Sequence, residues 1–489
     1  DNVFPEHKHV ENYYDDFVDQ VLLPHKMSQF GPALAVGDLN GDGLEDYFVG
    51  AASNHQGKLY LQTPSGFIES NIPDFEKTLI SEDVGATIFD ADQDGDNDLY
   101  VVSGGYEFEA NSKWLQDRLY INDGKGNFSL SEKALPKMIT SGSRVYNADL
   151  DKDGKEDLIV LGRQLPKNYP ASANSSILLN KSENGIAKFN DATDNVLKEF
   201  NALGMATSAV VTDIDNDSWL DLIVVGEWMP IRIFKNNKGK FKEVSKDMGV
   251  DKDTTGWWWS IQEGDFDNDG DMDYILGNNG LNYKYKASED ETFDIFIKDF
   301  DNNKKNDIVV SYYNDGEQYP VRGRECSSQQ IPAIKHVFKD YKSFSEATLI
   351  DVYSKQDLDN AIHHQVKSFA SIYLENDKGQ FISHKLPIQA QFSSINQILV
   401  NDYDKDGNLD ALIAGNLHVS EVETPRNDAS HGLFLKGNGN GTFSPVPVLK
   451  SGFYASGDVK DMSEIMVNQE RHIIIAKNND KVQYLKLKN

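Results

Sequence analysis

The chain reads as an all-β protein, a β-propeller of four-stranded antiparallel blades, and three observations predict it. An acidic loop beginning D-h-[DN]-x-[DN] and closing on Asp at position 9 recurs seven times, starting at Asp38, Asp90, Asp149, Asp213, Asp265, Asp299 and Asp402. A short β-branched run follows the loops, as in Leu99–Val102, Leu158–Leu161 and Leu222–Val225, so the loops join strands. Gly-rich hairpins come next, with Leu59-Tyr-Leu-Gln before Gly66-Phe, Leu119-Tyr-Ile-Asn before Gly126-Asn-Phe, and Leu433-Phe-Leu-Lys before Gly441-Thr-Phe. Four short strands per repeat bury their faces only against neighbouring blades, so the ring must close.

In chain order, residues 1–32 form a polar, acidic lead ending in an apolar piece, Phe17–Leu23, which reads as a single strand. The propeller domain, 33–489, starts with a strand from Ala33 to Gly37, the first loop and a second strand from Tyr47 to Gly50. Two intervals break the rhythm. Asp299 follows Asp265 by only 34 residues, and Asp402 follows Asp299 by 103, which leaves room for an insertion. A last unit from Gly457 to Leu487 has three strand-like runs and no acidic loop; pairing it with Phe17–Leu23 would close the ring. Eight blades are favoured, and seven result if the Asp265 and Asp299 units merge.

The loops predict calcium. Side-chain oxygens at positions 1, 3, 5 and 9, with the carbonyl of position 7, supply the hard oxygen cage that Ca²⁺ takes at about 2.3–2.6 Å. In order, the candidate ligands are Asp38, Asn40, Asp42, Leu44 and Asp46; Asp90, Asp92, Asp94, Asp96 and Asp98; and Asp149, Asp151, Asp153, Lys155 and Asp157. They continue as Asp213, Asp215, Asp217, Trp219 and Asp221; Asp265, Asp267, Asp269, Asp271 and Asp273; Asp299, Asp301, Asn303, Lys305 and Asp307; and Asp402, Asp404, Asp406, Asn408 and Asp410. Zn²⁺ would want His or Cys, and Mg²⁺ a stricter octahedron. An EF-hand would need Glu at position 12, where Val49, Val101, Val160, Val224, Leu276, Val310 and Ile413 stand. Ser218 and Lys304 replace the position-6 glycine in two copies, so each is expected to adopt positive φ. With Asn303, Lys304 and Lys305, the Asp299 loop is expected to be the weakest of up to seven sites.

The formal charge of −30 follows from 78 acidic residues against 48 basic ones, and seven divalent ions would roughly halve it. So acidic a chain has no footprint for nucleic acid or an anionic membrane. Cys326 is the one cysteine, so no disulfide forms within the chain and calcium is expected to take that role. Sites of modest affinity stay filled in extracellular calcium, which places the protein outside the cell. No apolar run reaches the length of a membrane span and no leader is visible, as in a mature or trimmed form.

The repeated D-h-D-x-D-G-x-x-D-h motif between strands resembles the FG-GAP or VCBS repeat of integrin α-subunit heads and many bacterial surface proteins. Leu23–Gly43 and the stretch Tyr319–Arg324 with Phe344–Thr348 are similar to VCBS-repeat proteins of the cartilage-acidic-protein-like group of Bacteroidetes. The resemblance implies a surface-exposed or lipid-anchored bacterial protein beside an outer-membrane transporter.

Function is expected where the chain departs from the repeat. Ile331, Ile334, Val337, Phe338 and Tyr341 follow helical spacing, and Ser343-x-x-Glu346 and Ser354-x-x-Asp357 read as capping boxes, so residues 311–368 hold short helices packed on the propeller. Arg322, Arg324, Lys335, His336, Lys339 and Lys342 make this stretch locally basic, suited to a carboxylate or sulfate ligand, although ordinary ion pairing is the commoner use of such charges. Trp257 and Trp259 share one face of a strand and offer a stacking platform for sugars, with core packing the stronger expectation. No catalytic motif stands out, and catalytic residues are not assigned. A non-catalytic module for a glycan, peptide or protein ligand leads, ahead of a polysaccharide lyase or hydrolase and a structural adhesion part.

Overall fold

The computed structural model describes residues 3–250 and 252–487; the first two residues of the lead and the last two of the propeller range lie outside it. Strands dominate and pair into eight antiparallel sheets. Seven of these sheets form the ring. Their innermost strands, Leu34–Gly37, Glu82–Phe89, Ser141–Ala148, Met205–Thr212, Ser260–Gly264, Ile395–Asn401 and Val459–Val467, each pack on the next, and the last returns to the first. We number the blades 1 to 7 in that order.

The eighth sheet explains both aberrant spacings. Blade 5 begins with Ser260–Gly264 and Asp273–Gly277, then leaves the ring for more than ninety residues and is completed by Ile372–Asp377 and Gln380–Lys385. Nested inside it is a sheet ordered Glu317–Pro320, Asp307–Asn314, Phe293–Lys298, Ile362–Val366, whose loop is the Asp299 copy. Eight sheets and a seven-membered ring are therefore both present, because one unit sits inside another.

The nested sheet covers one mouth of the ring. Phe293, Ile295, Ile308, Val310 and Val366 pack with Met205, Trp228 and Trp257 of blade 4, and with Leu22, Leu23 and Met27 of the lead. Its other face buries Phe296 and Val309 under helices drawn from 324–359. The helices thus pack on the nested sheet, where packing on the propeller ring was expected. Residues 311–314, 317–320 and 362–366 are strand, which narrows the helical region. Ile331 and Ile334 are buried, whereas Val337 is 71% and Tyr341 66% exposed, because Ile334–Val337 is a single turn that ends before the spacing repeats. Ser354 caps as expected, accepting from the Asp357 N–H, but Asp340 takes the cap that Ser343 was expected to supply.

Phe17–Leu23 is not a strand. Asp16–Val18 is a 3₁₀ turn, and Leu22 and Leu23 drop into the covered mouth because their neighbours there are apolar. Residues nearer the terminus span the seam instead. The Phe67 N–H donates to Val3 O at 3.0 Å, the Val482 N–H to His7 O at 2.9 Å, and Phe4 stacks between Phe67 and Tyr484. Blade 7 keeps three strands.

Candidate metal centres

Each acidic loop leaves the end of an inner or first strand and turns back into the second, so six of them crowd the mouth opposite the nested sheet. Their internal hydrogen bonds repeat copy by copy. The position-1 aspartate accepts the position-6 N–H, as from Gly95 to Asp90 at 3.1 Å and from Gly407 to Asp402 at 2.9 Å. Position 5 accepts the N–H of position 7, as from Asp96 to Asp94 at 3.0 Å and from Trp219 to Asp217 at 2.8 Å. These bonds curl the chain so that positions 1, 3 and 5 face inward. The curl also requires a left-handed residue at position 6: Ser218 has φ 69° and Lys304 φ 71°, as expected of the two non-glycine copies.

The position-9 aspartates lock the loops to the sheets. One oxygen of Asp98 accepts the Ala91 N–H at 3.0 Å and the other the Asn122 N–H of the third strand at 2.8 Å. Asp157 does the same with Leu150 and Asn180, and Asp221 with Ile214 and Asn236. Burial pushes Asp98 and Asp157 up to about 7, and Asp46, Asp221, Asp273 and Asp307 up to about 6; backbone N–H donors only partly offset it.

A third-strand amide then reaches the preceding blade. Asn122 Nδ2 donates to Leu39 O at 2.8 Å, Asn180 to Ala91 O at 3.1 Å and Asn236 to Leu150 O at 3.0 Å, so each loop is braced by its neighbour. Loop spacing does not reveal these asparagines, which lie outside the loop; their signal is an Asn three residues after an aliphatic Leu119, Ile177 or Ile233, just before each hairpin.

The donor set fits a hard divalent cation. Carboxylate oxygens of Asp90, Asp92 and Asp98 come within 4.8 Å of one another, as do those of Asp149, Asp151 and Asp157, of Asp213, Asp215 and Asp221, of Asp265, Asp267 and Asp269, and of Asp299, Asp301 and Asp307. Lysines in or just after the third strand also reach loop carboxylates: Lys181 lies 3.1 Å from Asp153, Lys436 lies 2.6 Å from Asp406, and Lys235 pairs with Asp215. Lysine and metal compete for the same oxygens, which loop spacing did not reveal.

The family model for the FG-GAP-like repeat matches residues 38–101, 90–160 and 176–276. The chain is an FG-GAP-repeat propeller. Its loops at Asp299 and Asp402, outside the matched residues, carry the same position-1 and position-9 hydrogen bonds. Among curated proteins, no sequence matches it. Solved structures similar to it include the Vibrio cholerae biofilm matrix protein Bap1, at 11% identity and TM-score 0.40, covering 99% of this chain and 91% of that one. Sqt1 of Saccharomyces cerevisiae aligns at 10% identity and TM-score 0.42 over 99% and 100%. The rhamnogalacturonan lyase YesW aligns at 10% and 0.38 over 94% and 72%.

The other candidate residues of the FG-GAP propeller are consumed by its interior. Trp257 is fully buried in the covered mouth, and Trp259 is buried against His25 and beside the Arg163 guanidinium. Arg322 is buried and pairs with Glu421 at 2.5 Å while donating to Leu23 O. Arg324 donates to Phe338 O and lies over the Tyr341 ring. A polar cleft of about 700 Å³ opens instead between the lead, blades 2 and 3, and the Asp299 loop. No helix among the described residues is long and apolar enough to cross a membrane.

Proposed function

We propose that the protein is an extracellular, calcium-stabilised binding module of a bacterial surface, anchored at the outer membrane of a Gram-negative cell beside a nutrient transporter. At the coarse level, an FG-GAP propeller is a scaffold for binding and interaction. The observation that carries the finer reading is the cleft beside the nested sheet. Lys167, Lys304, Lys305, Asn168, Asn306 and Gln329 line it beside Asp19, Glu109 and Asp307; Lys167 pairs with Glu109 at 2.8 Å, whereas Lys304 and Lys305 are exposed. Ammonium and amide groups converging on one hollow suit a carboxylated or sulfated glycan or an acidic peptide. Calcium at the repeat loops, six on the ring and one on the nested sheet, holds the scaffold, with up to seven ions and the Asp299 site the weakest.

The test is an array of acidic glycans and peptides probed with calcium-loaded protein, followed by K304A/K305A. Binding that falls at least about tenfold in the double variant supports the cleft. Release of shortened products from an acidic polysaccharide would instead make the protein a lyase or hydrolase. Retention of envelope proteins without array binding would make it an assembly part.

A further inference from the structure

The repeat loops do not use all the acid in this chain, and a second set of carboxylates lies buried on the other side of the ring. Glu82 opens the inner strand of blade 2, is 1% exposed, and neither of its carboxylate oxygens has a hydrogen-bond partner. Glu107, from the loop after the second strand of that blade, approaches it. A Cβ placed on Gly105 would lie 3.0 Å from Glu82 Oε2 and 2.9 Å from Glu107 Oε2, so the two carboxylates converge beside a residue that has no side chain.

The lead brings a third. Glu11 Oε1 accepts from Asn478 Nδ2, which also donates to Gly31 O at 2.8 Å, while Glu11 Oε2 is buried without a partner. Glu107 is held in place by Asn12 Nδ2 at 3.0 Å and the Tyr106 N–H at 2.8 Å.

Nearby cations are committed elsewhere. Arg118 pairs with Asp83 at 2.7 Å, Lys460 with Asp458 at 2.9 Å and Arg144 with Asp461. The buried Asp16 provides the contrast, since its oxygens accept from the Met27 and Ser28 N–H groups and the Ser28 hydroxyl. Glu82 has no such donors, and an unpaired buried carboxylate is strongly disfavoured. Burial, with neighbouring carboxylates adding to it, pushes Glu11 up to about 8 and Glu82 well above the ordinary range.

We propose that Glu11, Glu82 and Glu107 bind one calcium ion, separate from the repeat loops, that fastens the N-terminal lead to blade 2. The donor set is all oxygen and rich in carboxylate, as calcium prefers, and the ion would supply the positive charge that no side chain gives Glu82. Residues from the lead and blade 2 would share it, with Asn478 of blade 7 bracing Glu11, so docking the lead and binding this ion become one event.

The whole chain is refolded and crystallised with strontium present throughout, and, in a separate preparation refolded in calcium, the calcium content of the wild type is measured beside that of E82Q. An anomalous peak between Glu82 and Glu107, and one equivalent of calcium fewer in E82Q, are the expected results. Glutamine keeps the shape of a protonated carboxyl, so equal calcium content in folded E82Q would overturn the site and leave Glu82 as a neutral acid. Should E82Q not fold, the wild-type map decides: strontium at the repeat loops with none at Glu82 rejects the proposal.

Discussion

The Asp149 loop of blade 3 and the Asp299 loop of the nested sheet have the same internal hydrogen bonds and different supports. Behind Asp157 stands Asn180, which gives its N–H to the carboxylate and its side-chain amide to Ala91 of the preceding blade. Behind Asp307 there is no third strand in that place, and Gln330 of a helix bonds both the N–H and the carbonyl of Ile308 instead. The loop sequence shapes the oxygen cage, whereas the ring supplies the second half of the lock.

The largest effect is expected from removing calcium altogether. Each ion held at a hundred times its Kd adds about 2.7 kcal/mol, so stripping several should lower the Tm by at least about 5 °C. A melting temperature that chelator leaves unchanged would show that the ring stands on its strands alone.

D157A should cost about 2–4 kcal/mol in calcium-free protein, since two backbone N–H groups lose their buried acceptor, and D307A only about 1–2 kcal/mol. Equal losses in denaturant melts would erase the distinction between ring and nested loop.

A pH series on chelated protein tests the buried carboxylates. Asp98 and Asp157, near 7 in the folded chain, bind protons more tightly there than when unfolded. Their protonation therefore favours the fold at low pH, and that contribution is lost as pH rises from about 4 through 7. Chelated protein should melt higher at pH 5 than at pH 8. Calcium-loaded protein should reverse the order, because metal competes with protons for the same oxygens.

The smallest effects concern affinity at single loops. Terbium luminescence should fill the Asp299 site last, with Lys304 and Lys305 opposing the ion. K436M should tighten the Asp402 site by at most about fivefold, in keeping with an exposed lysine–carboxylate pair. Uniform filling, or no change in K436M, would mean that neighbouring ammonium groups do not tune these cages.

Much of the scaffold was legible in the chain because its signals are local. The oxygen register, the apolar residue at position 12 and the hairpin glycines all act within a dozen residues, and the positive φ at Ser218 and Lys304 followed from position 6 alone. The nested sheet was less legible. Asp273–Gly277 pairs with Ile372–Asp377 across the whole insertion, and no short-range pattern marks a partner that far away. Phe17–Leu23 misled for a related reason: an apolar run reports burial and not the conformation in which it is buried. Glu82 carried no signal of any kind, since a lone glutamate before a strand ordinarily faces water.

The repeating unit, its strands and its oxygen cages can be read from the chain, because a turn of nine residues and the pleat beside it are fixed by residues in immediate succession. Only the tertiary structure sets one unit inside another, spends Arg322, Trp257 and Trp259 in the interior and brings the carboxylates of Glu82 and Glu107 together. Those outcomes depend on which surfaces exclude water together, and that is a property of the closed ring.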